Sequence, residues 1–76
     1  MMNEYVVQIA ANALKMKTED VVKNCKPIEG INAFYFWNPV RGGCAVIVGN
    51  NGEKLGATSS VSYERHLKAF IAGKRN

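Results

Sequence analysis

Cysteine and histidine are the two residue types in this chain that could act together as a catalytic nucleophile and its base. Cys44 and His66 could form a thiol–imidazole pair, in which the imidazole removes the thiol proton. Nothing in their separation along the chain brings them together. Cys44 falls on the core face of a predicted strand, where a free cysteine behaves as a small hydrophobic residue. His66 follows Glu64 and Arg65 and is expected at the edge of a solvated helix face. The sequence therefore predicts a protein that is not an enzyme.

The other reactive side chains do not form a site either. The serines of segment 59–62 are expected in a loop and at a helix cap, and the Gly-x-Ser-x-Gly elbow of a serine hydrolase is absent. The soft metal ligands are Cys25, Cys44 and His66, and none lies at the short spacing that structural zinc requires. The sequence predicts no metal site and no cofactor.

One segment, Ala33–Asn38, combines strand-forming residues with aromatic side chains on both of its faces. Phe34 and Phe36 point to one side of a strand, and Tyr35 and Trp37 point to the other. Either helices cover both sides, or one side exposes Tyr35 and Trp37.

An exposed aromatic face of this kind would be a binding or dimer surface. Small residues of the neighbouring strands, including Ala45 and Gly56, would make it shallow. Aromatic residues and arginine dominate the energetics of protein interfaces. The leading functional hypothesis is therefore a small interaction module that binds a protein partner, or a second copy of itself. Its predicted contact residues are Tyr35, Trp37, Arg41 and Ile47.

The C-terminal end of the chain is basic. The net charge is +4 and the isoelectric point is near 9.3. From residue 65 onward the chain has four cations and no acid: Arg65, Lys68, Lys74 and Arg75. Cations also stabilise the C-terminal end of a helix through its dipole, whatever the function. Nucleic-acid binding by this basic end is the alternative functional hypothesis.

A second route to nucleic acid lies in residues 10–25, which resemble a helix-turn-helix motif. The spacing of the packing residues carries the resemblance: Ala11, Leu14, Met16 and Val21. Thr18 would then begin the recognition helix. Lys15 occupies the turn position where glycine is usual, and Glu19 and Asp20 would face phosphates.

The helices that must position these groups follow from hydrophobic periodicity and caps. Asn3 is a candidate N-cap for a first helix that runs to Met16, and Thr18 is a candidate N-cap for a second. The second helix includes Cys25 and ends before Pro27. Ser62 is the predicted N-cap of the last helix and Gly73 its C-terminal stop. The apolar stripe of that helix is predicted from four residues: Tyr63, Leu67, Phe70 and Ile71.

The strands follow the second helix. Residues 26–32 are predicted to be a connector, and strands are predicted at 33–38, 44–48 and 53–58. The pair Asn51-Gly52 is a strong hairpin signal. A two-residue turn there pairs Val48 with Leu55 and places Cys44 on the same face.

Together these elements predict an α+β fold with two N-terminal helices, a three-stranded antiparallel β-meander and a C-terminal helix packed on the sheet. Residues 1–76 are expected to form a single small domain. No segment is long and apolar enough to span a bilayer, and no signal peptide is recognisable. With only two cysteines in a small domain, we expect reduced thiols and a cytoplasmic location.

Overall fold

The computed structural model describes residues 4–39, 44–58 and 61–75. Two helices come first, a four-stranded antiparallel sheet follows, and one helix closes the chain. The elements are α1 (Glu4–Leu14), α2 (Thr18–Lys23), β1 (Cys25–Ile28), β2 (Ala33–Trp37), β3 (Ala45–Gly49), β4 (Lys54–Ala57) and α3 (Tyr63–Ile71). The strands are adjacent in chain order, β1-β2-β3-β4. The predicted α+β class is confirmed, with four strands where the sequence predicted three.

The additional strand is β1, which lies where a connector was predicted. This strand contains Pro27, and proline is disfavoured within a sheet because it cannot donate a backbone hydrogen bond. β1 is an edge strand, and the Trp37 N–H donates to the Asn24 carbonyl at 3.0 Å. Antiparallel ladders alternate hydrogen-bonded and non-hydrogen-bonded pairs, so the Pro27–Phe34 pair falls at a non-bonded position. The missing N–H therefore removes no bond to β2, which is where proline is tolerated in a sheet.

The β3–β4 hairpin exists as predicted, but its register is shifted by one residue. Ile47 lies opposite Leu55, and Val48 lies opposite Lys54. The Gly52 N–H donates to the Gly49 carbonyl at 2.9 Å, and Gly52 has φ +95°. The connection is therefore a three-residue loop ending in a left-handed residue, not a two-residue turn. A one-residue shift moves every side chain of β4 to the opposite face, so Leu55 lies with Ile47.

Helices cover both faces of the sheet. On one face α1 and α2 enclose a core with Phe36, Val46 and Val48. On the other face Phe70 of α3 packs with Ile28, Ala33 and Ile47. The two-sided aromatic pattern of β2 thus reflects a sheet between two helical layers.

The junction between the first two helices is a tight turn. Lys15 has φ +55°, and the Met16 N–H donates to the Ala11 carbonyl at 3.0 Å, which is the hydrogen bond of a Schellman C-cap. Thr18 is the first residue of α2 and not its cap; Lys17 precedes it without a side-chain capping bond. Cys25 belongs to β1, not to the second helix. The predicted cap at Asn3 lies outside the described residues.

The final helix begins and ends as predicted. The Ser62 side chain accepts a hydrogen bond from the Arg65 N–H at 3.3 Å, and Gly73 has φ +99° just beyond the helix. Its buried stripe differs at two positions. Ile71 is 61% exposed and His66 is 2% exposed, so the buried stripe includes His66 and excludes Ile71. None of the helices within the described residues has the length and hydrophobicity needed to cross a membrane.

The hairpin register can be tested with two alanine substitutions. A two-residue turn of type I′ would require positive φ at both Asn51 and Gly52, whereas Asn51 is not among the described residues with positive φ. We expect Gly52→Ala to lower the free energy of unfolding by about 1–2 kcal/mol through left-handed strain. We expect Asn51→Ala to lower it by about 0.5 kcal/mol or less. Urea denaturation of both variants measures the difference, and equal large losses would contradict the register.

Candidate aromatic binding cleft

Three aromatic rings meet at the end of the sheet where α3 begins. The Tyr35 and Trp37 rings are 5.8 Å apart between centroids, with an interplanar angle of 31°. Tyr63 stands against Tyr35 at 4.7 Å and 87°, a perpendicular edge-to-face arrangement. Tyr35, Trp37 and Tyr63 are all half-buried, so each ring retains some contact with solvent.

A lysine from β1 lies beside these rings. The register of β1 places Lys26 opposite Tyr35, and its Nζ lies 4.1 Å from the centre of the Tyr63 ring. This is a cation–π contact on an exposed rim. The rings and the lysine line a cleft of about 430 Å³, which Val61 and Thr58 also line. We refer to it as the aromatic cleft.

The position of α3 explains why the cleft exists. The capping bond at Ser62 starts the helix at Tyr63, directly over Tyr35. From there the helix runs over the sheet toward Phe70, which packs with Ile47. The part of the sheet face beyond the helix start, around Trp37 and Ala45, is left to line the cleft.

His66 packs beside Tyr35, on the α3 side of the sheet. Its Nε2 lies 2.6 Å from the Leu55 carbonyl oxygen, which can only accept, so Nε2 carries the proton and donates. The imidazole also stands against the Tyr35 ring at 5.8 Å and 76°. The predicted solvated position of His66 is wrong: it is a buried residue that links α3 to β4 and contacts Tyr35.

The surroundings of Tyr35 shift the pKa of its hydroxyl group. Burial raises the pKa of Tyr35 above the ordinary tyrosine range, and the neighbouring Tyr63 raises it further. Tyr35 therefore stays a neutral phenol in the physiological range.

The structure brings together two of the four predicted contact residues. Tyr35 and Trp37 both line the aromatic cleft. Ile47 does not, because it is 0% exposed and packs under Phe70 of α3; its predicted place on an exposed face is wrong. Arg41 lies outside the described residues.

Sequence reasoning did not assign Lys26 or Tyr63 to the site. Tyr63 was recognised only as part of the apolar stripe of the last helix. Lys26 was placed in a connector, and only the register of β1 brings it opposite Tyr35. A positional signal for Tyr63 existed, because it immediately follows the Ser62 cap and so stands at the exposed start of a helix.

The two cysteines are both free, and their environments differ from the prediction. Cys44 is exposed and lines the aromatic cleft, whereas the sequence placed it on the core face. The prediction failed because Cys44 precedes β3, so the alternation that places Val46 and Val48 in the core does not extend to it. Cys25 is half-buried, its thiol donates to the Val22 carbonyl at 3.3 Å, and burial raises its pKa.

The basic end proposed for nucleic acid is partly engaged within the fold. The Arg75 guanidinium donates to the Phe70 carbonyl at 2.7 Å and to the Glu53 carboxylate at 3.1 Å. It also lies 3.8 Å from the centre of the Phe70 ring. Arg75 therefore caps the C-terminal end of α3 and ties it to the β3–β4 loop. Its three companions, Arg65, Lys68 and Lys74, are exposed.

The segment that resembles a helix-turn-helix has a short second helix. α2 has six residues, which corresponds to about 9 Å of helix. Glu19 and Asp20 occupy its first turn, where carboxylates complement the helix dipole but would repel phosphates.

Among the described residues, no group of three or more histidine, cysteine or acidic side chains could hold a metal ion. No protein-family model, no curated protein and no solved structure matches this chain.

Tyr35 provides a test of the geometry of the cleft. The chain has three tyrosines, and we expect Tyr35 to ionise at higher pH than an ordinary tyrosine. Because its pKa is raised in the folded state, its contribution to stability is full below the unfolded pKa and is lost as pH rises through the folded pKa. Tyrosinate absorbance during an alkaline titration measures this. Tyr35→Phe should remove a tyrosine that ionises at higher pH than an ordinary tyrosine. If the substitution instead removes a tyrosine that ionises at lower pH, Tyr35 is not desolvated.

The thiols provide a second test. Cys44 should react rapidly with an aromatic disulfide reagent in the folded protein, and Cys25 should react more slowly, because its raised pKa leaves less thiolate. Single variants Cys25→Ser and Cys44→Ser separate the two rates, and denaturant should equalise them. Faster modification of Cys25 in the folded state would contradict this placement.

Proposed function

We propose that this protein is a small non-enzymatic interaction module that binds a protein partner through the aromatic cleft. The observation that carries the proposal is the meeting of three half-buried rings and a lysine in one cleft. Large aromatic side chains contribute much binding energy for little conformational entropy, and they are typical of interface hot spots. The contact residues are Tyr35, Trp37, Tyr63 and Lys26, with Val61 on the rim.

Several observations support a non-enzymatic role. The Nε2 atom of His66 donates a hydrogen bond to the Leu55 carbonyl, and the imidazole is 2% exposed. A buried imidazole committed to a backbone group is a poor general base for a thiol on the surface. Cys44 lines the cleft together with the rings, and it is exposed without a described basic partner bonded to it. Binding, not catalysis, is the chemistry that this cleft favours.

Protein is favoured over nucleic acid by the position of the positive charge. Within the described part of the cleft the cations are limited to Lys26, and Arg75 of the basic end is bonded to Glu53. A nucleic-acid strand across the cleft would need several phosphate contacts for useful affinity. We also propose a cytoplasmic location, which the two free thiols support. Binding of a second copy of the chain is included in the proposal as a form of protein binding.

A matched pair of substitutions tests the proposal. Val61 is 37% exposed on the rim of the aromatic cleft, and Val22 is 48% exposed on α2, away from it. We expect Val61→Glu to abolish or strongly reduce recovery of the partner from nuclease-treated host lysate. Val22→Glu makes the same change of side chain and should leave recovery intact. Mass spectrometry quantifies the partner, and size-exclusion chromatography detects self-association.

The opposite result would contradict the proposal. If Val22→Glu removes the partner and Val61→Glu does not, the binding surface is the groove between α1 and α2 that Val22 lines with Tyr5 and Val7. If nuclease removes every associated component, nucleic acid becomes the ligand, and charge reversal at Lys68 becomes the informative variant.

A further inference from the structure

We propose that the aromatic cleft selects an acidic, extended peptide segment, in which a carboxylate meets Lys26 and an apolar ring lies on Tyr35 and Trp37. This inference rests on the proposed function and adds the chemistry of the partner. It follows from three features of the described residues: the sign of the charge, the length of the cleft across the sheet, and the orientation of the rings.

The first feature is charge. Among the described side chains that line the cleft, one is charged, and it is Lys26. None of them is a carboxylate. The whole chain has a net charge of +4, so its long-range field also favours an acidic partner. The Lys26 ammonium rests 4.1 Å from the centre of the Tyr63 ring, which keeps it at the rim. A ligand carboxylate there would complete an ion pair whose cation is already held in place.

The second feature is the length of the cleft. It is lined from Lys26 in β1, across Tyr35 and Ala45, to Thr58 beyond β4. Four adjacent strands span three interstrand spacings, or about 14 Å. An extended peptide advances about 3.3 Å per residue, so about four residues fit this length. A short segment, not a folded domain face, is therefore the occupant that matches.

The third feature is the arrangement of the rings. Tyr35 and Trp37 differ in plane by 31° and form a floor, whereas Tyr63 is perpendicular to Tyr35 and forms a wall. A compact, rigid ring can contact floor and wall at once. Proline fits this description, and proline-rich segments are already extended, so binding orders them at little entropic cost.

Single-stranded nucleic acid is the competing ligand, because bases also stack on aromatic rings. It is less favoured because four nucleotides bring several phosphates to a cleft with a single described cation. A peptide with one or two carboxylates matches that charge.

The test uses Trp37, the only tryptophan of the chain, as a fluorescent reporter inside the cleft. Three blocked hexapeptides are titrated into the full chain: alternating Glu-Pro, alternating Lys-Pro and alternating Glu-Gly. We expect the Glu-Pro peptide to shift the emission of Trp37 in a saturable manner. We expect the Lys-Pro peptide to produce no saturable shift, and the Glu-Gly peptide to bind more weakly than Glu-Pro.

Two variants, each of which removes one positive charge, identify the residue that contacts the ligand carboxylate. Lys26→Met keeps most of the aliphatic stem and removes the charge, and it should weaken Glu-Pro binding by about 5-fold. Lys68→Met removes the same charge from the exposed face of α3 and should leave the affinity unchanged within about 2-fold. Circular dichroism checks that both variants remain folded.

The outcomes separate this inference from the proposed function. Equal binding of Lys-Pro and Glu-Pro, or no effect of Lys26→Met, would overturn the acidic selection. So would the absence of any saturable response to Glu-Pro. In each case the Val61→Glu experiment still decides whether the cleft binds a protein. Tighter, salt-sensitive binding of oligothymidylate than of any peptide would overturn both proposals.

Discussion

Every residue of β3 is buried, and this central strand imposes the main constraint on the fold. Val46 and Val48 face the layer of α1 and α2, whereas Ile47 faces α3. A strand that is apolar on both faces cannot be left open to water on either side, so the chain must supply a helical layer above and below the sheet. The two-sided aromatic pattern of β2 is a consequence of the same requirement.

The second layer is small, and the aromatic cleft follows from its size. α3 has nine residues, a length of about 14 Å, and its last buried residue is Phe70. One such helix cannot cover the whole face of a four-stranded sheet, so the corner near Trp37 lies beyond its first residue. Tyr63 and His66 fix this boundary: Tyr63 packs on Tyr35, and His66 bonds to the Leu55 carbonyl of β4. The groups that hold α3 in place are therefore also those that shape the cleft.

The fold class, the three helices and the aromatic strand could be predicted because each depends on local signals such as periodicity, caps and turn residues. Ser62 and Gly73 were recognised correctly from their types alone. The hairpin register could not be predicted from the sequence, because Asn51-Gly52 is compatible with either a two-residue turn or a three-residue loop that ends at Gly52. Tertiary packing decides between them, since only the second places Leu55 beside Ile47 and under α3. Lys26 was missed for a related reason: proline disfavours strands except at an edge, and a sequence does not show which strand is the edge.

The net charge of +4 has a different meaning once these positions are known. Arg75 is bonded to the Phe70 carbonyl and to Glu53, so one of the four C-terminal cations stabilises the end of α3. Lys26 is a single cation held on a Tyr63 ring beside two further aromatic groups. Charge that is dispersed or internally neutralised provides weak, long-range attraction, whereas a cation fixed next to apolar rings can distinguish one ligand from another. If the proposed function holds, we therefore expect Lys26, in a strand that the sequence did not reveal, to affect specificity more than the C-terminal cations do.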